Sequence, residues 1–235
     1  MDQRTRNVIF KFMRNEIMTE IHGSISTGKE ANVYLCATKD PEVYLALKIY
    51  KTSILVFKDR SSYTAGEFRF RRGYKGKNPR KMVTAWAEKE VRNLNRLHQT
   101  GKIQCPVPIK QANNCLLMSF IGVGDNHAPR LRDAGDLSLK TWNRLYLSTM
   151  KDTRVMFQEC KLVHADLSEY NILYHNNDVV IIDVSQSVEH DHPNALTFLR
   201  KDCWNVNSFF KSKGVLVCSC RQYRALGKIS SCYFK

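Results

Sequence analysis

The sequence predicts an α+β protein folded as two lobes. Strand-like segments crowd the first half of the chain and helical segments the second, an order that argues against alternating βαβ units. The 235 residues suffice for one large domain or two small lobes. Near the middle, Gly122-Val123-Gly124 makes a glycine-rich corner suited to a hinge. These observations place an N-lobe over residues 1–121 and a C-lobe over 122–235.

Residues 5–18 set Val8, Ile9, Phe12 and Met13 at helical spacing, which predicts an amphipathic first helix. Segments 21–26 and 31–36 read as strands joined by a turn at Thr27-Gly28-Lys29-Glu30, and 43–50 as a third strand entered after Asp40-Pro41. Residues 58–81 carry nine Lys or Arg against Asp59 and Glu67, with three glycines between, and read as a basic loop. Helical spacing returns over 83–97, where Val91, Leu94 and Leu97 share a face. An apolar strand over 116–121 leads into the glycine corner. Residues 137–159 read as one or two helices, and 172–174 and 179–184 as strands joined at His175-Asn176-Asn177-Asp178. Residues 198–210 read as a last helix.

Composition narrows the classes. Apolar residues make up 43% and charged residues 25%, as in globular proteins rather than disordered ones. No run of about 18 apolar residues offers a membrane span, and the start, Met1-Asp2-Gln3-Arg4, leads to no apolar signal core. The formal charge of +15 favours polyanionic partners: nucleic acid, nucleotide phosphates or an acidic protein. Cys36, Cys105, Cys115, Cys160 and Cys203 are scattered among apolar neighbours, as reduced buried thiols are. Cys218, Cys220 and Cys232 have no second pair at zinc-finger spacing. Glu189-His190-Asp191-His192-Pro193 lacks a third ligand and is not read as a metal site.

Residues 23–29 match G-x-x-x-x-G-K, but Glu30 stands where a Walker loop needs Ser or Thr. The residues that follow read as a strand, whereas a Walker loop opens a helix. A strand–turn–strand loop can still cover phosphates with its backbone N–H groups. A stronger signal lies at Leu162-Val163-His164-Ala165-Asp166-Leu167-Ser168-Glu169-Tyr170-Asn171, with Asp183 after the next apolar strand. Asp, then Asn five residues on, then Asp beyond a hairpin is the spacing of a protein-kinase catalytic loop and metal loop. Asp166 can accept a hydroxyl proton, and Asn171 and Asp183 offer hard oxygen ligands for Mg²⁺. Upstream, Ala46-Leu47-Lys48-Ile49 holds one lysine in an apolar strand, like the lysine that reaches the α- and β-phosphates. Glu90 shares a helix face with Leu94 and is the chosen partner of Lys48, with Glu88 as substitute.

With these residues in view, 26–34, 162–173 and 181–188 resemble the RIO family of atypical protein kinases. Residues 48–60 and 189–210 resemble its first-numbered subtype, and the resemblance covers roughly residues 4–215. It implies a trimmed two-lobed kinase-like fold with an added N-terminal helix and no A-P-E segment, and none follows Asp183 here. It implies ATP and Mg²⁺ as cofactors. Ser26, Lys29 and Glu30 would lie over the triphosphate, Lys48 would contact phosphates, and Glu90 would hold Lys48. Met118 would sit behind the adenine, with Ser119 and Ile121 bonding its edge through their backbone. Asp166 would be the catalytic acid/base, and Asn171 and Asp183 would bind Mg²⁺.

The resemblance further implies a serine/threonine protein kinase and ATPase in which phosphate passes to Asp183 as an aspartyl phosphate. Its setting would be cytoplasmic maturation of the small ribosomal subunit, with precursor particles of rRNA and protein as partners, possible protein substrates besides, and no membrane. Phe68-Arg69-Phe70-Arg71-Arg72-Gly73-Tyr74 interleaves arginines with aromatics as nucleic-acid binders do, and Ser61, Ser62 and Thr64 are candidate autophosphorylation sites. The family continues past Val215 into further helices, whereas residues 216–235 lack an amphipathic repeat, so an incomplete C-lobe is expected. The chain also starts almost at its first helix, without a regulatory extension. The alternative reading is a nucleotide-gated binding module for ribosome precursors with little or no phosphoryl transfer.

Overall fold

The computed structural model describes residues 1–52 and 79–218. The chain divides into two compact units. One comprises Met1–His98 and Cys105–Ala128, and the other comprises Gln99–Gln104 with the described residues from Pro129 onward.

In the first unit, α1 (Gln3–Arg14) starts at Asp2, whose carboxylate accepts the Thr5 N–H at 2.8 Å as an N-cap. The helix stops short of the predicted Met18, and Glu16 turns the chain with a φ of 57°. Strands β1 (Glu20–Thr27), β2 (Ala31–Ala37) and β3 (Tyr44–Tyr50) follow, then α2 (Pro79–Gln99), β4 (Pro108–Ala112) and β5 (Cys115–Ser119). The strands form one antiparallel sheet in the order β1-β2-β3-β5-β4. Side chains alternate across it. Leu45, Leu47 and Ile49 of β3 pack with Val8, Ile9 and Phe12 of α1, while Tyr50 packs with Val83, Trp86 and Ala87 of α2. Lys48 therefore shares its strand face with Tyr50, toward α2.

Several elements of this unit differ from the sequence reading. The basic loop loses residues 79–81 to α2, which opens on Pro79, a residue suited to a first helical turn. Strand β4 was not predicted, because Ile109 and Lys110 are exposed and the apolar alternation is lost at this edge. The glycine corner forms a short hairpin of β6 (Gly122–Val123) and β7 (Asn126–His127). A side chain at Gly122 would run into the Asn126 carbonyl and the Phe120 ring. The predicted strand 116–121 ends at Ser119. Ser61, Ser62, Thr64 and residues 68–74 lie outside the described residues.

In the second unit, Ser138 caps α3 (Leu139–Gln158). Then come β8 (Leu162–Val163), β9 (Ile172–His175), β10 (Asp178–Ile181), β11 (Val188–Glu189) and α4 (Ala195–Ser212). Trp142 and Tyr146 of α3 meet Phe210 of α4 with ring centroids 6.2 and 5.3 Å apart. The β9–β10 hairpin closes through Asn176 and Asn177 at φ of 49° and 61°, the left-handed pair that a two-residue hairpin loop requires. After α4, Val215 is buried, and Cys218 accepts from the Asn207 amide and donates to the Tyr146 hydroxyl, each at 2.9 Å. The rest of the divergent tail, residues 219–235, lies outside the described residues.

Cys36, Cys105, Cys115, Cys160 and Cys203 are all buried. Burial pushes Cys36 and Cys115 up to about 12. Among the described residues, no helix is long and apolar enough to cross a membrane.

Asp152 of α3 is buried, which raises its carboxyl from 3.8 to about 7; Asp178 adds to the rise and Lys151 opposes it. The folded chain then keeps a proton that the unfolded chain loses near pH 4, so this residue's contribution to stability falls as pH rises from about 4 through about 7. Urea unfolding across pH 5–8 should show Asp152→Asn with a flatter profile than wild type and higher stability at the alkaline end. A variant profile as steep as wild type contradicts this.

Candidate active site

The first unit is organised around a buried ion pair. Val83, Trp86, Ala87, Glu90, Leu94 and Leu97 form the buried stripe of α2, so Glu90 is an acid in an apolar row. Lys48 and Glu90 are 5% and 1% exposed, and Lys48 Nζ lies 2.8 Å from Glu90 Oε1. The Tyr50 hydroxyl donates to Glu90 Oε2, and Lys48 Nζ stands 5.2 Å from the Tyr50 ring centroid. Glu88 is exposed instead. Tyr50 is itself anchored. Its N–H donates to the Asn114 carbonyl at 2.9 Å, and the Asn114 side chain donates to the Tyr50 carbonyl at 2.8 Å and bonds Thr5 of α1. Removing one partner of a buried pair generally costs about 3–5 kcal/mol, because the other charge is stranded.

The β1–β2 turn and the end of β5 belong to the same sheet as Lys48. Ser26 lies opposite Val33, and the Gly28 N–H donates to the Ala31 carbonyl at 2.9 Å. Lys29 is exposed and Glu30 half-buried, and the Glu30 carbonyl accepts the Lys51 N–H at 2.9 Å. The residues after Lys29 enter β2, not a helix, which removes the Walker geometry. Met118 is buried opposite Ala46 of β3, two residues from Lys48 and on the same face. Ser119 donates its N–H to Val107 O at 2.9 Å, and Ile121 accepts the Ala128 N–H at 2.9 Å.

The second unit brings together Asp166, Asn171 and Asp183. The register Ile181↔Ile172 continues into an Ile182 N–H bond to Asn171 O at 3.1 Å, which sets Asn171 beside the residue preceding Asp183. Asn171 Nδ2 donates to Asp166 O at 2.9 Å and to Asp166 Oδ2 at 3.2 Å. Its amide oxygen is left as a hard donor of the type that suits Mg²⁺, as is the Asp183 carboxylate. The strand predicted over 179–184 ends at Ile181; Asp183 adopts a left-handed conformation (φ 57°, ψ 61°) and opens a 3-10 turn, Val184–Gln186. The Ser185 hydroxyl donates to Asp183 Oδ1 at 2.8 Å.

Beneath this loop, Asp202 of α4 is 1% exposed and accepts the Ala165 and Leu167 N–H groups, each at 2.8 Å. Burial raises its carboxyl to about 6, against the lowering effect of His164 and these two bonds. His164 Nδ1 accepts the Asp166 N–H at 3.3 Å, so Nε2 carries the proton and donates to Ile182 O at 3.0 Å. Burial pushes the Asp166 carboxyl above the usual range; Asp183 adds to this, while His164, Lys201 and Asn171 oppose it. The His192 ring is buried beside Phe198, and its Nδ1 accepts the Asn194 N–H. Sequence reasoning missed Asp202, Tyr50 and Ser185. Asp202 left a signal, an acid in the buried row with Cys203, Val206 and Phe210.

A five-stranded antiparallel sheet with a lysine–glutamate pair, and a unit with an Asp–Asn loop and a metal-loop Asp, define a trimmed protein-kinase-like fold. The RIO domain model matches residues 32–223, and the chain belongs to that family. It is 58% identical over 222 residues to human "Serine/threonine-protein kinase RIO1", covering 94% of this chain and 39% of that protein. It is 57% identical to the Dictyostelium discoideum protein of the same name, over 92% of this chain and 37% of that one. The chain thus spans about two fifths of these curated relatives' length. A crystal structure of the Rio2 kinase-ADP/Mg²⁺-phosphoaspartate complex from Chaetomium thermophilum matches with a TM-score of 0.70 at 21% identity, covering 94% of this chain and 66% of that one.

Asp202→Ala should leave the Ala165 and Leu167 amides without an acceptor, at about 1–3 kcal/mol each. Hydrogen exchange at those two amides should accelerate together, and unchanged exchange there would contradict the assignment.

Proposed function

We propose that the chain is an ATP- and Mg²⁺-dependent atypical serine/threonine protein kinase and ATPase. The observation that carries the reading is the buried Lys48–Glu90 pair in one unit, accompanied by the Asp166–Asn171–Asp183 group in the other. Lys48, held by Glu90, orients the α- and β-phosphates, and the β1–β2 turn, with Ser26, Lys29 and Glu30, covers the triphosphate. Met118 backs the adenine pocket, whose edge meets Ser119 C=O and Ile121 N–H. Asn171 and Asp183 hold Mg²⁺, which when bound neutralises charge on the transferring phosphoryl group.

In the ATPase branch a carboxylate oxygen of Asp183 attacks the γ-phosphorus. The bond to the β–γ bridging oxygen breaks, and ADP leaves with its electron pair. Water then attacks the acyl phosphate, and Asp166 takes its proton as phosphate departs. The Ser185 hydroxyl on Asp183 Oδ1 favours reaction through the other oxygen. In the kinase branch Asp166 accepts the proton of a serine or threonine hydroxyl. The phosphoaspartate named in the Chaetomium Rio2 structure supports the first branch by analogy. The proposed setting is cytoplasmic maturation of the small ribosomal subunit, and the formal charge of +15 supports an rRNA-rich partner.

Phosphate release from ATP with Mg²⁺ should fall by about 10²-fold or more in Asp183→Asn and in Asp166→Ala. Nucleotide-induced thermal shifts should survive in Asp166→Ala, and an acid-labile phosphate should appear on wild type and be absent from Asp183→Asn. Nucleotide binding without turnover in wild type would instead favour the nucleotide-gated binding module.

A further inference from the structure

We propose that a second pocket on the first unit, lined in part by three cations, binds a phosphate monoester dianion. The pocket measures about 330 Å³ where the start of α1, the start of α2 and the β4–β5 turn meet, and its described lining residues all belong to the first unit. Arg4 of α1 and Arg80 and Lys81 of α2 supply three cations from two helices. Thr84 adds a hydroxyl, and Asn113, held at φ 50° in the turn, adds an exposed amide. Guanidinium, ammonium, hydroxyl and amide groups are the donor types that recognise a tetrahedral oxyanion.

Two acids, Asp2 and Glu88, share the lining with Arg4, Arg80 and Lys81, which leaves it a formal charge of +1. Asp2 is committed. Its Oδ1 caps α1 through the Thr5 N–H, and its Oδ2 accepts from Thr52 at 3.4 Å and lies 3.8 Å from Arg80. These contacts hold the Asp2 carboxyl below its ordinary value, with the Thr5 backbone bond the largest cause. Glu88 is exposed. Lys48 does not line this pocket, so the dianion it takes is separate from the nucleotide proposed above.

The dianion could arrive on a phosphorylated side chain of a protein or as free phosphate, and the test separates the two. A ¹⁵N-labelled chain is titrated at constant ionic strength with a phosphoserine peptide, its unphosphorylated twin and inorganic phosphate. Saturable shifts are expected at Asn113 and Thr84 with the phosphopeptide and not with its twin. Arg4→Ala and Lys81→Ala should each weaken binding by about tenfold or more. Arg6→Ala, which removes an exposed α1 cation outside the lining, should leave it unchanged. Inorganic phosphate binding as tightly as the peptide would identify free phosphate as the source, and peptide binding alone a phosphorylated side chain. No saturable shift at Asn113 and Thr84, equal binding of the unphosphorylated twin, or equal weakening by Arg6→Ala overturns the proposal.

Discussion

Two opposite charges removed from water, Lys48 and Glu90, set the terms on which the first unit is organised. Neither tolerates burial alone. Strand alternation puts Lys48 on the α2 face of β3, and the helical repeat puts Glu90 on the buried stripe of α2. The two periodicities leave the charges one meeting place, and Tyr50, on the same strand face, takes the second carboxylate oxygen. Asn114 then ties the end of β3 to α1 through Thr5. The added N-terminal helix is thus joined to the ion pair by side chains as well as by the apolar packing of Phe12 and its neighbours.

The second unit solves a different problem. Its chemistry-bearing residues sit on a loop, and a loop has no ladder to satisfy its backbone. Asp202 supplies that function from α4 by accepting two alternate amides, while His164 spans from the Asp166 N–H to the Ile182 carbonyl. The β9–β10 hairpin fixes how far Asn171 lies from Asp183, because its two-residue loop sets the register. The polar side chains are therefore positioned from below by a helix and from the side by a hairpin.

Much of this arrangement was legible in the sequence wherever a local period carried it. Lys48 stood out as a charge in an apolar strand, and Asp166, Asn171 and Asp183 were joined by spacing across a readable hairpin. Tyr50, Asn114 and Asp202 were not legible as site residues, because each acts on a partner 35 or more residues away in sequence. The edge strand β4 escaped notice for a related reason: solvent on its exposed positions relaxes the alternation that betrays a strand. Asp183 was placed at a strand end, yet the backbone turns left-handed there, which no periodicity reveals.

That left-handed backbone decides what a mutational scan would measure at this position. Asp and Asn visit the left-handed region with local help, whereas other side chains cost about 1–2 kcal/mol there. Alanine would delete a carboxylate and oppose the local conformation at once, so its phenotype would mix lost chemistry with a distorted turn. Glycine would accept the turn and loosen it. Asparagine alone separates the two effects, since it keeps the side-chain shape and the backbone preference while removing the charge. In a library of all substitutions, tolerance here should follow backbone preference before it follows hydropathy or volume.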